Sequence, residues 1–305
     1  MAVSASLRTL LNRAIDYAGM FPPCGLPLEP ALRNQAKYVR SAEAWMLNGF
    51  VLPLEQFDAA TQFFPEFDSE HPLRIAALGP KTPGVDSFLA ALSNGVAAIR
   101  SFSKYDTDVV SISHLEMFLP ADVDSVFLKE ARAIVGELTV FWEAPPEEAE
   151  RTIELIARHN SGDEVLTFGY KLRTGGVSED AFPSSAQIAR ALVTAARHQL
   201  LIKFTAGLHH PIRQFRDEVK TKMHGFLNVL GAAVLAAEHQ WDVGQAVTML
   251  EDEDPRSFAF TDNFFAWRDW KIDTERLQHR RTLVRSFGSC SFDEPRDDLR
   301  ALNLL

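Results

Sequence analysis

Short apolar runs recur along the chain, most of them closed by glycine or proline and followed by a stretch at helical spacing. Runs of this kind, rich in branched and aromatic residues, suit buried strands. They fall at residues 15–20, 45–53, 73–80, 109–119, 138–145, 165–172 and 200–206, with a less regular candidate at 285–292. Between them the pattern predicts helices over 31–41, 56–64, 85–105, 123–135, 146–159, 184–199 and 224–239. The fifth of these has helix-start chemistry: Pro146, then Glu147, Glu148 and Glu150 where the helix dipole favours acids. Seven strand–helix units and one closing strand fit a (β/α)8 TIM-like barrel, closed by an irregular C-terminal segment, better than an open doubly wound sheet. No linker or shift in composition divides the chain, so residues 1–305 read as one domain.

Composition narrows the range of partners. At 46% hydrophobic and 24% charged residues the chain is ordinary for a soluble globular protein. A net charge of −10 argues against nucleic acid as a partner and gives no reason for attraction to anionic membranes. No apolar stretch approaches the roughly 18 residues needed to span a bilayer. Residues 6–17 set Arg8 and Arg13 beside Leu7, Leu10, Leu11 and Ile15, the pattern of an amphipathic helix, although an organelle transit peptide can look the same. Cys24 and Cys290 make neither a CxxC motif nor a disulfide ladder, which points to a reduced, cytoplasmic setting. No GxGxxG follows a strand, so the dinucleotide signature is missing and no cofactor is expected. The acidic run 251–254 reads as a solvated loop, and the aromatic group 258–270 as core or a lid.

The chemistry concentrates in residues 165–213. Two strands there each carry one lysine and break at once into glycine: Tyr170-Lys171-Leu172-Arg173-Thr174-Gly175-Gly176, then Ile202-Lys203-Phe204-Thr205-Ala206-Gly207. In a parallel α/β protein the C-terminal ends of strands are where active sites form. Strand alternation puts Gly169, Lys171 and Arg173 on one face, Lys203 with Thr205 and Gly207, Glu143 with Phe141, and Glu116 with His114. A charge facing the helices would be costly, so Lys171, Lys203, Glu116 and Glu143 are expected to point into the barrel mouth as a neutral polar layer. That layer serves either as a structural ion network or as a site. For a site, desolvation and a second cation are expected to lower the pKa of Lys171 until its amine can attack a carbonyl.

This arrangement resembles the deoxyribose-phosphate aldolases, class I aldolases on a (β/α)8 barrel. In that family a Schiff-base lysine closes the sixth strand, with Thr and Gly three and four positions on; here Lys171 is followed by Thr174 and Gly175. An assisting lysine closes the seventh strand, followed by Ser two positions on and Gly-Gly; here Lys203 is followed by Thr205, Ala206 and Gly207. The resemblance covers about a sixth of the chain and implies the Schiff-base role for Lys171 and the assisting role for Lys203. It departs from the family in having no aspartate within residues 73–79, so a proton relay falls to Glu116 or Glu143. His209-His210 also stands where a less polar, phosphate-approaching turn belongs.

The resulting expectation is a lysine-dependent aldolase or lyase acting on a small, phosphorylated carbonyl compound. Its anion site is placed at Arg173, Gly175, Gly176, Thr205, Gly207, His209, His210, Arg213 and Ser289, because glycine lets backbone approach an anion and arginine supplies charge. The hydroxyl-rich run from Ser286 to Ser291 completes that cradle. One alternative is a metal-dependent hydrolase or isomerase using His209, His210 and His224 with Glu116 and Glu143. Another is a barrel that binds a ligand or protein without catalysis. Cys290 reads as a small buried residue rather than a nucleophile, since no histidine adjoins it in sequence.

Overall fold

A computed structural model describes residues 3–102, 108–121, 123–161 and 167–305. The final residues of the helix expected over 85–105 and the first of the strand expected over 165–172 lie outside them.

Eight parallel strands close into a barrel. In chain order they are β1 (Ile15–Tyr17), β2 (Leu47–Pro53), β3 (Leu73–Leu78), β4 (Val110–Phe118), β5 (Val140–Glu143), β6 (Phe168–Arg173), β7 (Ile202–Thr205) and, after five short antiparallel strands, β13 (Val284–Ser289). Each pairs with its neighbour, and β13 closes the ring between β7 and β1. The helices α1 (Ala5–Leu11), α2 (Leu28–Tyr38), α3 (Phe57–Ala60), α4 (Val85–Phe102), α5 (Ser125–Val135), α6 (Ala149–Asn160) and α7 (Ser185–Arg197) come before and between the first seven strands. Where expected helix 146–159 begins, a 3-10 turn takes Pro146–Glu148 and α6 follows.

Local chemistry explains several boundaries. Asp124 caps α5 by accepting from the backbone N–H groups of Val126 and Phe127. Ser184 and Gln187 cap each other's backbone at the start of α7, the reciprocal arrangement that satisfies two orphan donors. Along β5, β6 and β7 the side chains of Trp142, Tyr170, Ile202 and Phe204 enter the apolar layer shared with the helices. Their alternate neighbours are thereby turned inward. Gly169 faces inward with Lys171, and a Cβ there would stand 2.6 Å from the Phe141 ring. The missing side chain is what lets that aromatic floor the barrel.

The stretch after β7 departs from the regular pattern. A hairpin, β8 (Gln214–Arg216) with β9 (Thr221–Met223), precedes the helix α8 (Phe226–His239), which is buried continuously from Phe226 to Ala236. Neither hairpin strand carries an apolar run. Then come α9 (Val243–Leu250) and a three-stranded antiparallel sheet of β10 (Phe258–Phe260), β11 (Phe264–Trp267) and β12 (Trp270–Asp273). Phe265 and Trp267 of this sheet are buried, so the aromatic group is core. The acidic run is the loop its composition predicts, with Glu251 and Glu253 exposed, except at one residue. Asp252 is buried and accepts from the Trp267 indole at 3.0 Å while Arg268 pairs with it at 2.8 Å. The chain returns through α10 (Thr274–Arg280) to β13, three residues shorter at its end than expected, and finishes in α11 (Asp293–Ala301). No helix among the described residues is long and apolar enough to cross a membrane.

Candidate active site at the barrel mouth

The inward side chains of β1, β4, β5, β6 and β7 meet in one charged layer. Register sets Glu143 opposite Lys171 and Lys171 opposite Lys203, so three charges form a row across adjacent strands. Glu116 sits one step lower, opposite Phe141. The Lys171 Nζ lies 2.6 Å from Glu116 Oε2 and 2.9 Å from Glu143 Oε2. The Lys203 Nζ contacts the other oxygen of Glu116 and lies 2.8 Å from Asp16 Oδ2 and 2.9 Å from His114 Nε2. Arg173, its side chain 40% exposed at the rim, donates through Nε to Glu143 at 3.0 Å. Lys171 is 3% and Lys203 1% exposed.

His114 has polar partners on both ring nitrogens. The Ser113 hydroxyl donates to the Ile75 carbonyl at 3.0 Å, and its oxygen can accept from His114 Nδ1 at 2.9 Å. Nε2 lies between two groups, 2.9 Å from the Lys203 Nζ and 3.0 Å from Glu116 Oε1, so it accepts from the ammonium in one tautomer and donates to the carboxylate in the other. Burial, followed by the charge of Lys203, holds this imidazole below its ordinary pKa, as a neutral ring requires. With His114 neutral, three cations (Lys171, Lys203, Arg173) face three carboxylates (Asp16, Glu116, Glu143). Despite the burial that opposes it, contact with Lys171 and Lys203 holds Glu116 well below the ordinary carboxylate range. Lys171 and Arg173 do the same for Glu143.

One expectation is reversed here. Burial does work to lower the pKa of Lys171, but Glu116 and Glu143 outweigh it and raise that pKa above the ordinary lysine value. The resting amine is an ammonium ion. Repulsion from Lys203 is offset because both lysines share the Glu116 carboxylate.

Above the layer opens a cavity of about 490 Å3 whose floor is Glu116, Glu143, Lys171 and Lys203. Its upper wall is largely apolar, with Phe21, Pro22, Val51 and Phe118, and carries Arg173 and Lys81. Such a space admits a small molecule with one polar end.

The residues expected to cradle an anion divide. Arg173, Gly176, Thr205 and His209 line the cavity. Gly175 and Gly207 are committed to a close approach of two backbones. Gly207 has φ +75°, and a Cβ on it would stand 2.8 Å from the Cα of Gly175. The remaining groups have other partners. His210 Nδ1 lies 2.6 Å from an Asp298 oxygen, Arg213 Nη1 lies 3.0 Å from His224 Nδ1, and the Ser289 hydroxyl donates to the Ser291 carbonyl at 2.7 Å. His209 pairs with Glu294 at 3.0 Å, and His224 Nε2 donates to the Pro183 carbonyl at 2.8 Å. The three histidines thus turn to separate partners rather than to one ion. Ser286 points below the layer, donating to Asp16 at 2.5 Å, and takes no part in a cradle at the mouth.

Asp16 and His114 are the members that sequence reasoning left without a role. With Glu116 they form the one group among the described residues whose potential ligand atoms all lie within 4.8 Å. The position a cation would take among them is filled by the Lys203 ammonium. Burial pushes the Cys290 thiol up to about 12, so this mouth residue is a poor nucleophile.

Fold and site together define a (β/α)8 barrel with a charge-balanced layer under a C-terminal cavity. No family model matches the chain, and neither does any curated protein. Among solved structures the chain is similar to CbXyn10B in native form, at 12% identity over 94% of this chain and 87% of that one, with a TM-score of 0.41. It is similar at 11% identity, the same coverage and a TM-score of 0.40 to a mutant protein in complex with xylotriose.

Proposed function

We propose that this chain is a lysine-dependent enzyme of the aldolase or lyase kind, acting on a small polar carbonyl compound through a Schiff base on Lys171. The observation that carries this reading is the different commitment of the two lysines. Lys203 has three polar partners around its ammonium, Asp16, His114 and Glu116. Lys171 has two partners and one donor left at the cavity floor. Lys203 is the positioning cation, and Lys171 is the amine that meets substrate.

Its ammonium state calls for a proton acceptor, and Glu143 touches it at the cavity wall. In the reaction Lys171 gives one proton to Glu143, its nitrogen bonds to the carbonyl carbon as the C=O π bond breaks, and a second proton passes from that nitrogen to the carbonyl oxygen. The carbinolamine then loses water, the leaving hydroxyl taking the proton back from Glu143. Charge is conserved, because one ammonium becomes one iminium. That iminium is the electron sink for cleaving the neighbouring carbon–carbon bond. An anionic group on the substrate would meet Arg173 and Lys81 in the upper wall.

The metal-dependent alternative has less support, since Lys203 occupies the centre of the Asp16–His114–Glu116 trio. The test is reductive trapping: borohydride with a panel of short aldehydes and ketones, followed by peptide mass spectrometry. A mass adduct on Lys171, absent in Lys171→Met, is the expected result. Adducts confined to surface lysines would end the proposal.

A further inference from the structure

The opposite end of the barrel holds a second cavity, of about 590 Å3, with a different character. Arg8, Arg13, Arg281 and Arg285 line it, and no Asp or Glu does. In a chain of net charge −10, four arginines around one space without an acid is a concentration that the average surface does not explain. Among the described residues none of the four has a carboxylate at ion-pair distance. Arg281 donates to the carbonyls of Asn12, Val284 and Arg285, and Arg8 lies 4.7 Å over the Trp45 ring. These contacts hold the side chains in place without neutralising them.

Two further features bear on this crowding. Burial and the neighbouring Arg285 push the Arg281 guanidinium down to about 10, and burial and Arg13 lower that of Arg74 nearby. Arg13 itself adopts φ +48°, a left-handed conformation where a side chain is disfavoured and glycine is the usual occupant. A strained backbone thus presents a guanidinium to a space already crowded with positive charge. An anion with several oxygens relieves the repulsion and matches the forked donors of arginine.

We propose that this N-terminal cavity binds a small, multiply charged anion of the polyphosphate class, separately from the mouth. Size and charge both fit: the space exceeds one phosphate, and four cations call for more than one negative charge. The roof of the cavity includes His114 and Ser286, which reach Lys203 and Asp16 from below, so the ligand would lie on the underside of the charged layer. The proposal is independent of any chemistry at the mouth.

Calorimetric titration of the full chain with inorganic pyrophosphate, at low and at high salt, tests it. The expected result is saturable binding that weakens with salt. Affinity should fall by about tenfold or more in Arg13→Ala/Arg285→Ala, where two charge-assisted contacts go, and should persist in Arg173→Ala at the mouth. Both replaced arginines are surface-exposed, so the variant keeps its fold, checked by an unchanged melting curve. Absence of saturable binding at low salt, unchanged affinity in the double variant, or an equal loss in Arg173→Ala overturns the proposal.

Discussion

Removing Lys171 tests the charge layer as well as the chemistry. Lys171→Met preserves most of the side-chain length but leaves two cations facing three carboxylates in a buried site. Breaking a buried pair outright costs about 3–5 kcal/mol; here Glu143 keeps Arg173 and Glu116 keeps Lys203, so the expected cost lies toward the lower end of that range. Glu143 can escape part of that cost by binding a proton, since it borders the cavity. The acid loss of stability should then become shallower. In the wild type, Glu116 and Glu143 have depressed pKa values, so their stabilisation is present above the unfolded carboxylate pKa of about 4.3 and is lost as pH falls through the folded values. In the variant Glu143 loses Lys171 and keeps Arg173, so its folded pKa rises from the wild-type value and less stability is lost as pH falls through the acid range. Lys171→Met/Glu143→Gln restores two cations against two carboxylates and should recover about 2–3 kcal/mol of the loss, well beyond the ~0.5 kcal/mol expected of independent sites. Urea melts of the four proteins at pH 5 and pH 8 measure this directly. A double variant no more stable than Lys171→Met at pH 8 would falsify the view that Lys171 neutralises this layer.

Two other outcomes follow from particular contacts. His224, buried between Arg213 and the Pro183 carbonyl, has its pKa lowered from 6.5 to about 4, chiefly by burial. The unfolded chain therefore binds its proton first, and stability should fall by about 3 kcal/mol as pH drops from 6.5 to 4, at about 1.4 kcal/mol per pH unit. In His224→Gln that slope should vanish, and parallel stability curves for the two proteins would count against it. The sulfurs of Cys24 and Cys290 lie 2.9 Å apart although 266 positions separate them. Diamide, a two-electron thiol oxidant, should remove both free thiols at once within a monomer, whereas disulfide-linked dimers on a non-reducing gel would show that the pair does not close.

The barrel was legible because its strands are short apolar runs that glycine and proline stop, and because alternation fixed which face each lysine and glutamate took. Lys171, Lys203, Glu116 and Glu143 needed only register within their own strands to be placed. Asp16 was different. It sits in a three-residue strand between Ile15 and Tyr17, too short for alternation to mark it as inward, and its partners Asn48, Lys203 and Ser286 are 32, 187 and 270 positions away. The sign of the Lys171 shift is not legible in the sequence, because two strand neighbours, Lys203 and Glu143, both adjoin it, and sequence says nothing of which charge touches. The glycines after the lysines looked like an anion cradle; two of them instead let neighbouring loops meet, a contact visible only once Gly175 and Gly207 are side by side.

The place of Lys203 has a consequence for supply. A site organised by a divalent ion depends on finding that ion, holding it against competitors and excluding the wrong one. Here the cation among Asp16, His114 and Glu116 is delivered by translation, tethered by four methylenes to the strand that positions it. It neither leaches nor exchanges, and no chelator can strip it. The barrel carries its counter-charge as part of its own sequence.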